Sequence, residues 1–302
     1  MKNNDMDYTL LIPTKNRFFY LKRTIKYYSD LNFKGQIFIL DSSDKEIALK
    51  NKNLLNSFEK LNIKYFHFIG LPWQVIKEVM PFIKSEFVSF SGDDDYLVPN
   101  SIKKGIKLLK SNSSYIAVNG TALCAITLKN RTEIDYFTPY LLNTRYEDKA
   151  SERVLALMKD YTLPLFSIHR TSSFKELLSF IPDASQFQDL CPVWAIADEF
   201  LPASISVGLG KSTKIDNLLV VRSIHKDRYH MPSITENMDD LNIAVNYYKK
   251  CMDILFQRDN LSQKKSLEIA NQLEKILLTT TKSGIVETAS YNSVSYTHLR
   301  AH

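Results

Sequence analysis

Apolar residues come in short runs along the first hundred positions, and each run stops at a polar cluster. Tyr8-Thr9-Leu10-Leu11-Ile12 is nearly continuous, as expected of a strand buried on both faces, and Pro13-Thr14-Lys15-Asn16 ends it. From about Arg17 to Ser29 the spacing of Phe18, Leu21, Ile25 and Tyr28 predicts a helix. Gln36 to Leu40 reads as a second strand stopping at Asp41-Ser42-Ser43, with a helix over roughly Asp44 to Leu61. Ile63 to Phe68 alternates as a third strand. Pro72 to Ile83 reads as a short helix with Pro72 in its first turn, and Glu86 to Ser91 as a fourth strand. This order predicts an α/β fold, a mostly parallel central sheet with helices on both faces. Ligands in such sheets sit at the carboxyl ends of the strands. Three of those ends carry polar clusters, at Pro13 to Arg17, Asp41 to Ser43 and Asp93 to Asp95.

Further on, Asn100 to Leu109 predicts a helix, Tyr115 to Val118 a strand, and Thr121 to Ile134 antiparallel strands. Ala150 to Lys159 reads as a helix and Leu163 to Ile168 as a strand, followed by His169-Arg170-Thr171. A helix within Gln186 to Phe200 carries Asp198 and Glu199, and Ile215 to Val221 is a late strand leading to His225. Met238, Leu241, Val245, Tyr248, Met252 and Leu255 step by three and four, as do Leu267, Ala270, Leu273 and Leu277 after a break at Asp259-Asn260. That predicts a C-terminal helical hairpin. The expected organisation is an α/β domain over 1–230, a helical extension over 231–285 and a disordered tail over 286–302. From Val294 onward the tail resembles translated sequencing-adapter read-through, which would leave the natural C-terminus outside this sequence; His298 and His302 are excluded from any site.

Composition narrows the function. A chain of 302 residues with 44% hydrophobic content supports a full core and excludes wholesale disorder. The net charge of +6 is spread along the chain. It suits anionic small molecules or a loose approach to acidic lipid, and is too diffuse for nucleic acid. Cys124, Cys191 and Cys251 are far apart, show no metal spacing, and read as buried free thiols of a reducing compartment. No signal peptide and no apolar run near the ~20 residues of a membrane span is visible, so a cytoplasmic location is expected, with the inner face of the membrane within reach.

The most telling stretch is Ser89-Phe90-Ser91-Gly92-Asp93-Asp94-Asp95-Tyr96. A short apolar strand runs into three consecutive carboxylates, and Gly92 offers backbone freedom for a sharp turn. Two like charges ~4 Å apart repel by about 4 kcal/mol at an effective dielectric of ~20. Such a cluster reads either as an acidic surface turn or as a site for a cation, and all-oxygen ligands suit Mg²⁺ or Mn²⁺.

Leu10 to Arg17, Ile39 to Ser43 and Phe90 to Pro99 together resemble three motifs of the family-2 glycosyltransferases, which have the GT-A fold. The strand ending in His169-Arg170-Thr171 resembles that of a bacterial subgroup, and the likeness covers roughly Tyr8 to His225. The resemblance implies sugar transfer from a nucleotide-diphosphate sugar to a glycan or lipid-linked acceptor, with inversion, in surface polysaccharide or glycan synthesis. By the same likeness Pro13, Thr14 and Arg17 would line the nucleotide pocket, Asp41 would meet the base and Asp93 the ribose. Asp94 or Asp95 would hold Mn²⁺ or Mg²⁺ on the diphosphate, His225 would complete the metal shell, and Glu199 or Asp198 would be the base. The helix over Leu71 to Ile83 departs from the wider family in lacking its Gly and Arg-Asn residues, and a Gln-x-x-Arg-Trp acceptor motif is absent.

Other readings stand beside these. Asp41 could cap the following helix, His169 reads as a satisfied core histidine, and Asp198-Glu199 could be a solvated helix face. Their apolar flanks, Ala195-Ile196-Ala197 and Phe200-Leu201, would keep the two carboxylates partly buried and raise their pKa toward neutrality, which suits a general base. A sugar-nucleotide pyrophosphorylase is the rival enzyme class, but it would want a Gly-rich loop where Pro13 to Arg17 has no glycine. A non-catalytic nucleotide-sugar-binding protein is the rival outside enzymes.

Overall fold

The computed structural model describes residues 6–127, 134–140, 143–162, 164–183, 195–225 and 238–291. The chain divides into two compact units. The first comprises Met1–Tyr146, Thr162–Ile181 and Leu209–Arg228, and the second Glu147–Tyr161, Pro182–Gly208 and Tyr229–His302.

The first unit is built on one sheet, with strands β1 (Tyr8–Thr14), β2 (Gln36–Asp41), β3 (Asn62–His67), β4 (Phe87–Phe90), β5 (Tyr96–Leu97), β6 (Tyr115–Ile126), β7 (Tyr136–Tyr140), β8 (Ile168–Arg170) and β9 (Lys211–Ile224). The order is β3-β2-β1-β4-β8-β6-β9-β5, with β7 on β6. Pairing is parallel from β3 through β4 and again between β6 and β9. It is antiparallel where β8 joins β4 and β6, where β5 joins β9, and in the β6–β7 hairpin. Leu10, Leu11 and Ile12 of β1 and Ile37, Phe38 and Ile39 of β2 are all buried, which is why these strands read as unbroken apolar runs. Helices α1 (Phe18–Asp30), α2 (Lys45–Leu55), α3 (Pro72–Val79) and α4 (Pro99–Ser111) connect the early strands, so the expected α/β class holds.

Several boundaries move for local reasons. Helix α2 ends at Leu55, six residues before the expected Leu61, where the Ser57 hydroxyl caps the Leu54 carbonyl at 2.6 Å. The expected strand over Leu163 to Ile168 is instead a tight turn at Pro164–Phe166, closed by Ser167 N–H on the Pro164 carbonyl at 3.1 Å, and only Ile168–Arg170 is strand. Proline has no N–H to give a ladder. Helix α5 (Thr171–Leu178), which follows at once, has no counterpart in the expected elements.

The second unit is helical among its described residues: Ala150–Lys159, a wide π-type turn at Ala195–Phe200, Leu201–Gly208, Met238–Phe256 and Gln263–Tyr291. The hairpin therefore joins two earlier segments of chain in one unit. Buried Arg153 ties them, donating to the carbonyls of Glu147 and Val207, each at 2.7 Å. Asp259 accepts the N–H groups of Ala150 at 2.7 Å and Ser151 at 2.8 Å, stabilising that helix N-terminus from across the unit. Helix Gln263–Tyr291 continues past Ile285, and the adapter-like residues from Val294 lie outside the described residues, as does most of the expected helix over Gln186 to Phe200.

Candidate active site

The turn after β4 is held at three strand ends of the first unit. Ser91 still gives its N–H to the Leu11 carbonyl of β1 at 3.0 Å; the chain then turns, with Asp95 N–H on the Gly92 carbonyl at 3.4 Å. No glycine among the described residues has positive φ, so the expected backbone freedom at Gly92 is not what the turn uses. It uses space. A Cβ on Gly92 would lie 2.9 Å from Asp94 Oδ1 and 3.3 Å from Asp95 Oδ2, because the two carboxylates converge over the glycine.

Each aspartate has its own partners. Asp93 accepts the Thr14 hydroxyl at 2.7 Å and Arg17 Nε at 2.8 Å, and its carbonyl accepts the Thr24 hydroxyl at 2.6 Å. Asp94 accepts a second Arg17 nitrogen, and its Oδ2 lies 2.9 Å from His225 Nε2. Asp95 accepts the Ser223 N–H at 2.8 Å and faces Arg222 Nε at 3.9 Å, while the Ser223 hydroxyl donates to the Asp94 carbonyl at 2.5 Å. Tyr20, one helical turn on from Arg17, stacks on His225 with centroids 4.5 Å apart and its hydroxyl 3.1 Å from Nδ1. The Arg17 guanidinium sits 4.3 Å over the Tyr20 ring.

Burial dominates the electrostatics. It pushes Asp93 up to about 7 against the pull of Arg17, and burial together with the Asp94 charge pushes Asp95 up to about 7. Burial also raises Asp94, but the His225 hydrogen bond and the Arg17 charge outweigh it and hold Asp94 below the usual range. Arg17 is raised overall, because Asp93 and Asp94 offset its own burial.

Repulsion among the three carboxylates is thus relieved in part by Arg17 and Arg222. Among the described residues no group of three or more His, Cys, Asp or Glu side chains is arranged to hold a metal ion. Asp94 and Asp95 turn oxygens toward one point over Gly92, and His225 Nε2 lies beside Asp94. Two carboxylates and one imidazole suit Mn²⁺, and the carboxylates suit Mg²⁺.

Sequence reasoning named Thr14, Arg17, Asp93, Asp94, Asp95 and His225, and these meet in one cluster. Pro13 lies in β1 opposite Leu40, one residue before Thr14. Asp41 is fully buried; Oδ1 takes the Ser43 N–H and Oδ2 takes Asn51 Nδ2 and the Tyr65 hydroxyl, each at 2.8 Å. A bond from Asp41 to a base would compete with these. Glu199 is half-buried in the π-type turn of the second unit, and the Asp198 side chain lies outside the described residues. His169 is buried in β8, 5.5 Å from the Phe174 ring. Tyr20, Thr24, Arg222 and Ser223 were not foreseen. The available signals were the three-residue step from Arg17 to Tyr20 and the adjacency of Arg222-Ser223 to His225.

No family model and no curated protein sequence matches the chain. Solved structures do. Residues 1–349 of TarS from S. aureus, in complex with UDP-GlcNAc, superpose with a TM-score of 0.62 at 15% identity, covering 91% of this chain and 73% of that one. The fold is that of TarS. The complex of TarS 1–349 with UDP gives 0.54 at 14% identity, over 89% of this chain and 70% of that one. Against a longer TarS chain the TM-score is 0.57 at 15% identity, and this chain spans 43% of its length. At such identity the likeness to TarS is one of fold. Among the described residues no helix is long and apolar enough to cross a membrane.

Proposed function

We propose that this chain is a nucleotide-sugar glycosyltransferase that works with Mn²⁺ or Mg²⁺. The observation that carries the reading is the convergence of the Asp94 and Asp95 carboxylates over Gly92, beside Thr14 and Arg17, at the carboxyl ends of adjacent parallel strands. That is where doubly wound sheets take their ligands. The TarS fold supports the same class, since TarS 1–349 is seen with UDP-GlcNAc and with UDP.

In this reading Asp94, Asp95 and His225 hold the divalent cation, which supplies Lewis-acid neutralisation of charge on the departing diphosphate. Arg17 contributes a second positive charge at the same place. Asp93, itself held by the Thr14 hydroxyl, fixes Arg17, and these residues border the nucleotide pocket with Pro13 and Asp41. Glu199, or Asp198, takes the proton of the acceptor hydroxyl as the sugar transfers, and the resemblance favours inversion. The acceptor in this reading is a glycan or lipid-linked molecule, in surface polysaccharide or glycan synthesis. A cytoplasmic setting is supported by Cys124 and Cys251, which are buried free thiols; Cys191 lies outside the described residues.

The test is a thermal-shift and calorimetric screen of UDP, GDP, CDP, ADP and dTDP, and their common sugars, with Mn²⁺, Mg²⁺ or EDTA. A ligand at ~100 times its dissociation constant adds about 2.7 kcal/mol of stability. One nucleotide is expected to bind with cation and to fail in EDTA. Absence of cation-dependent binding across the panel overturns the reading.

A further inference from the structure

Asn16 has no role among those assigned above, yet it stands between two residues that do. Arg17 follows it in the turn after β1. Across from it, in the turn after β2, Asp41 accepts the Ser43 N–H at 2.8 Å. The parallel ladder of the two strands runs to Thr14 opposite Asp41, and the Ser42 N–H donates to the Thr14 carbonyl at 2.9 Å just beyond it. From there the two segments leave into α1 and α2. Asn16 spans them with three hydrogen bonds. Its N–H donates to Ser43 Oγ at 2.7 Å, its Oδ1 accepts the Asp44 N–H at 3.0 Å, and its Nδ2 donates to Asp44 Oδ2 at 3.0 Å. Ser43 is fully buried. Asp44 is the residue from which α2 starts, and its side chain does not cap that helix.

We infer that Asn16 is a positioning residue that clips the turn after β1 to the turn after β2, and so holds Arg17 and Asp41 in one arrangement for a nucleotide. Ladder bonds fix the strands but not the turns that leave them. A site divided between two turns binds more weakly when they move independently, because binding must then order both. The position asks two things of its residue. The backbone is left-handed, with φ of 56°, a region that Gly, Asn and Asp enter at less cost than other residues. The side chain must accept from the Asp44 N–H and donate to the Asp44 carboxylate at once. A side-chain amide does both. Glycine has the backbone freedom and no amide. Aspartate has the acceptor, but would set a second carboxylate against Asp44.

The clip itself needs no ligand; its service to a nucleotide rests on the function proposed above. The experiment compares the full chain with Asn16→Gly, Asn16→Asp and the double variant Asn16→Asp with Asp44→Asn. The double variant exchanges amide and carboxylate across the pair and restores both side-chain hydrogen bonds. Amide hydrogen exchange is followed over residues 14–17 and 41–45, beside calorimetry with UDP, GDP, CDP, ADP and dTDP. In both single variants exchange in the two turns should quicken by about tenfold, with the rest of the sheet unchanged. Asn16 and Asp44 are exposed, so melting temperatures should stay close to that of the parent. Affinity for the nucleotide that the parent binds should fall by about fivefold in the single variants. Both properties should return in the double variant. Unchanged exchange in Asn16→Gly overturns the inference, as does faster exchange throughout the sheet or a double variant as defective as Asn16→Asp. Quickened turns with parent-like affinity overturn the positioning role. If the parent binds none of these nucleotides, the proposed function fails, and the exchange data still decide whether Asn16 joins the two turns.

Discussion

Arg17 Nε donates to Asp93 Oδ1 at 2.8 Å, joining the turn after the first strand to the turn after the fourth across 76 residues of chain. Asp93 is 4% exposed, so removing its cation leaves a buried charge without compensation. Arg17→Gln should cost about 3 kcal/mol in urea unfolding at pH 8. The loss should shrink at pH 5.5, because burial already pushes Asp93 up to about 7 and its protonated form has no charge left to compensate. An equal loss at both pH values would show that the ion pair is not its origin.

Gly92→Ala adds one methyl group at 2.9 Å from Asp94 Oδ1 and 3.3 Å from Asp95 Oδ2. The carboxylates must part to admit it. The expected outcome is destabilisation of about 1–3 kcal/mol together with weakened Mn²⁺-dependent nucleotide binding. Unchanged cation binding in a folded Gly92→Ala protein would show that the convergence over Gly92 is not the cation site.

Asp94→Asn and Asp95→Asn remove charge with little change of shape. Each should lose Mn²⁺-dependent donor binding by calorimetry while keeping its circular dichroism. In the metal-free protein Asp95→Asn should be neutral or slightly stabilising, since burial and the Asp94 charge already disfavour the Asp95 anion. Parent-like binding of donor and metal in both variants would remove these residues from the site.

Glu199→Gln should keep donor affinity and lose transfer by ~10²-fold or more, if Glu199 is the base. Full transfer in Glu199→Gln with loss in Asp198→Asn moves the assignment by one residue. Full transfer in both removes this segment from the chemistry. The assay compares donor calorimetry with transfer to a working acceptor.

His169 supplies a pH dependence remote from the acidic turn in its chemistry. Burial pushes its imidazole down to about 4, below the ordinary value of about 6.5. Between those values the unfolded chain binds the proton and the folded chain does not, so stability falls as pH drops from about 6.5 to about 4. Urea midpoints over that range should be flatter in His169→Asn than in the parent. Parallel profiles would show that His169 titrates alike in the folded and unfolded chain.

The strands of the parallel half were legible because burial on both faces leaves an unbroken apolar run, as at Leu10 to Ile12. The acidic turn was legible as a turn because a short apolar strand runs directly into Gly92 and three adjacent carboxylates. The roles of Gly92 and Tyr20 were not. Gly92 is needed for room, which depends on where Asp94 and Asp95 point, and Tyr20 stacks on a histidine 205 residues away. The segment after Pro164 misled because its apolar run is the same in a tight turn as in a strand, and only tertiary placement separates the two. Asp41 shows the converse. Its place at a strand end was clear, but Asn51 and Tyr65, which occupy its Oδ2, come from the next helix and strand.

Strand β9 lies between β6 and β5 in the sheet, and its end delivers Arg222, Ser223 and His225 to aspartates made some 128 residues earlier. A chain leaving the ribosome therefore exposes Asp93 to Asp95 long before the β9 groups that meet Asp94 and Asp95 exist. Until β9 arrives, β5 lacks the strand it pairs with, and the acidic turn is held from the earlier chain by contacts such as those of Leu11, Thr14, Arg17 and Thr24. The acidic turn is thus completed late in the synthesis of this unit, and a nascent or truncated chain that stops short of residue 225 carries its aspartates without their β9 partners.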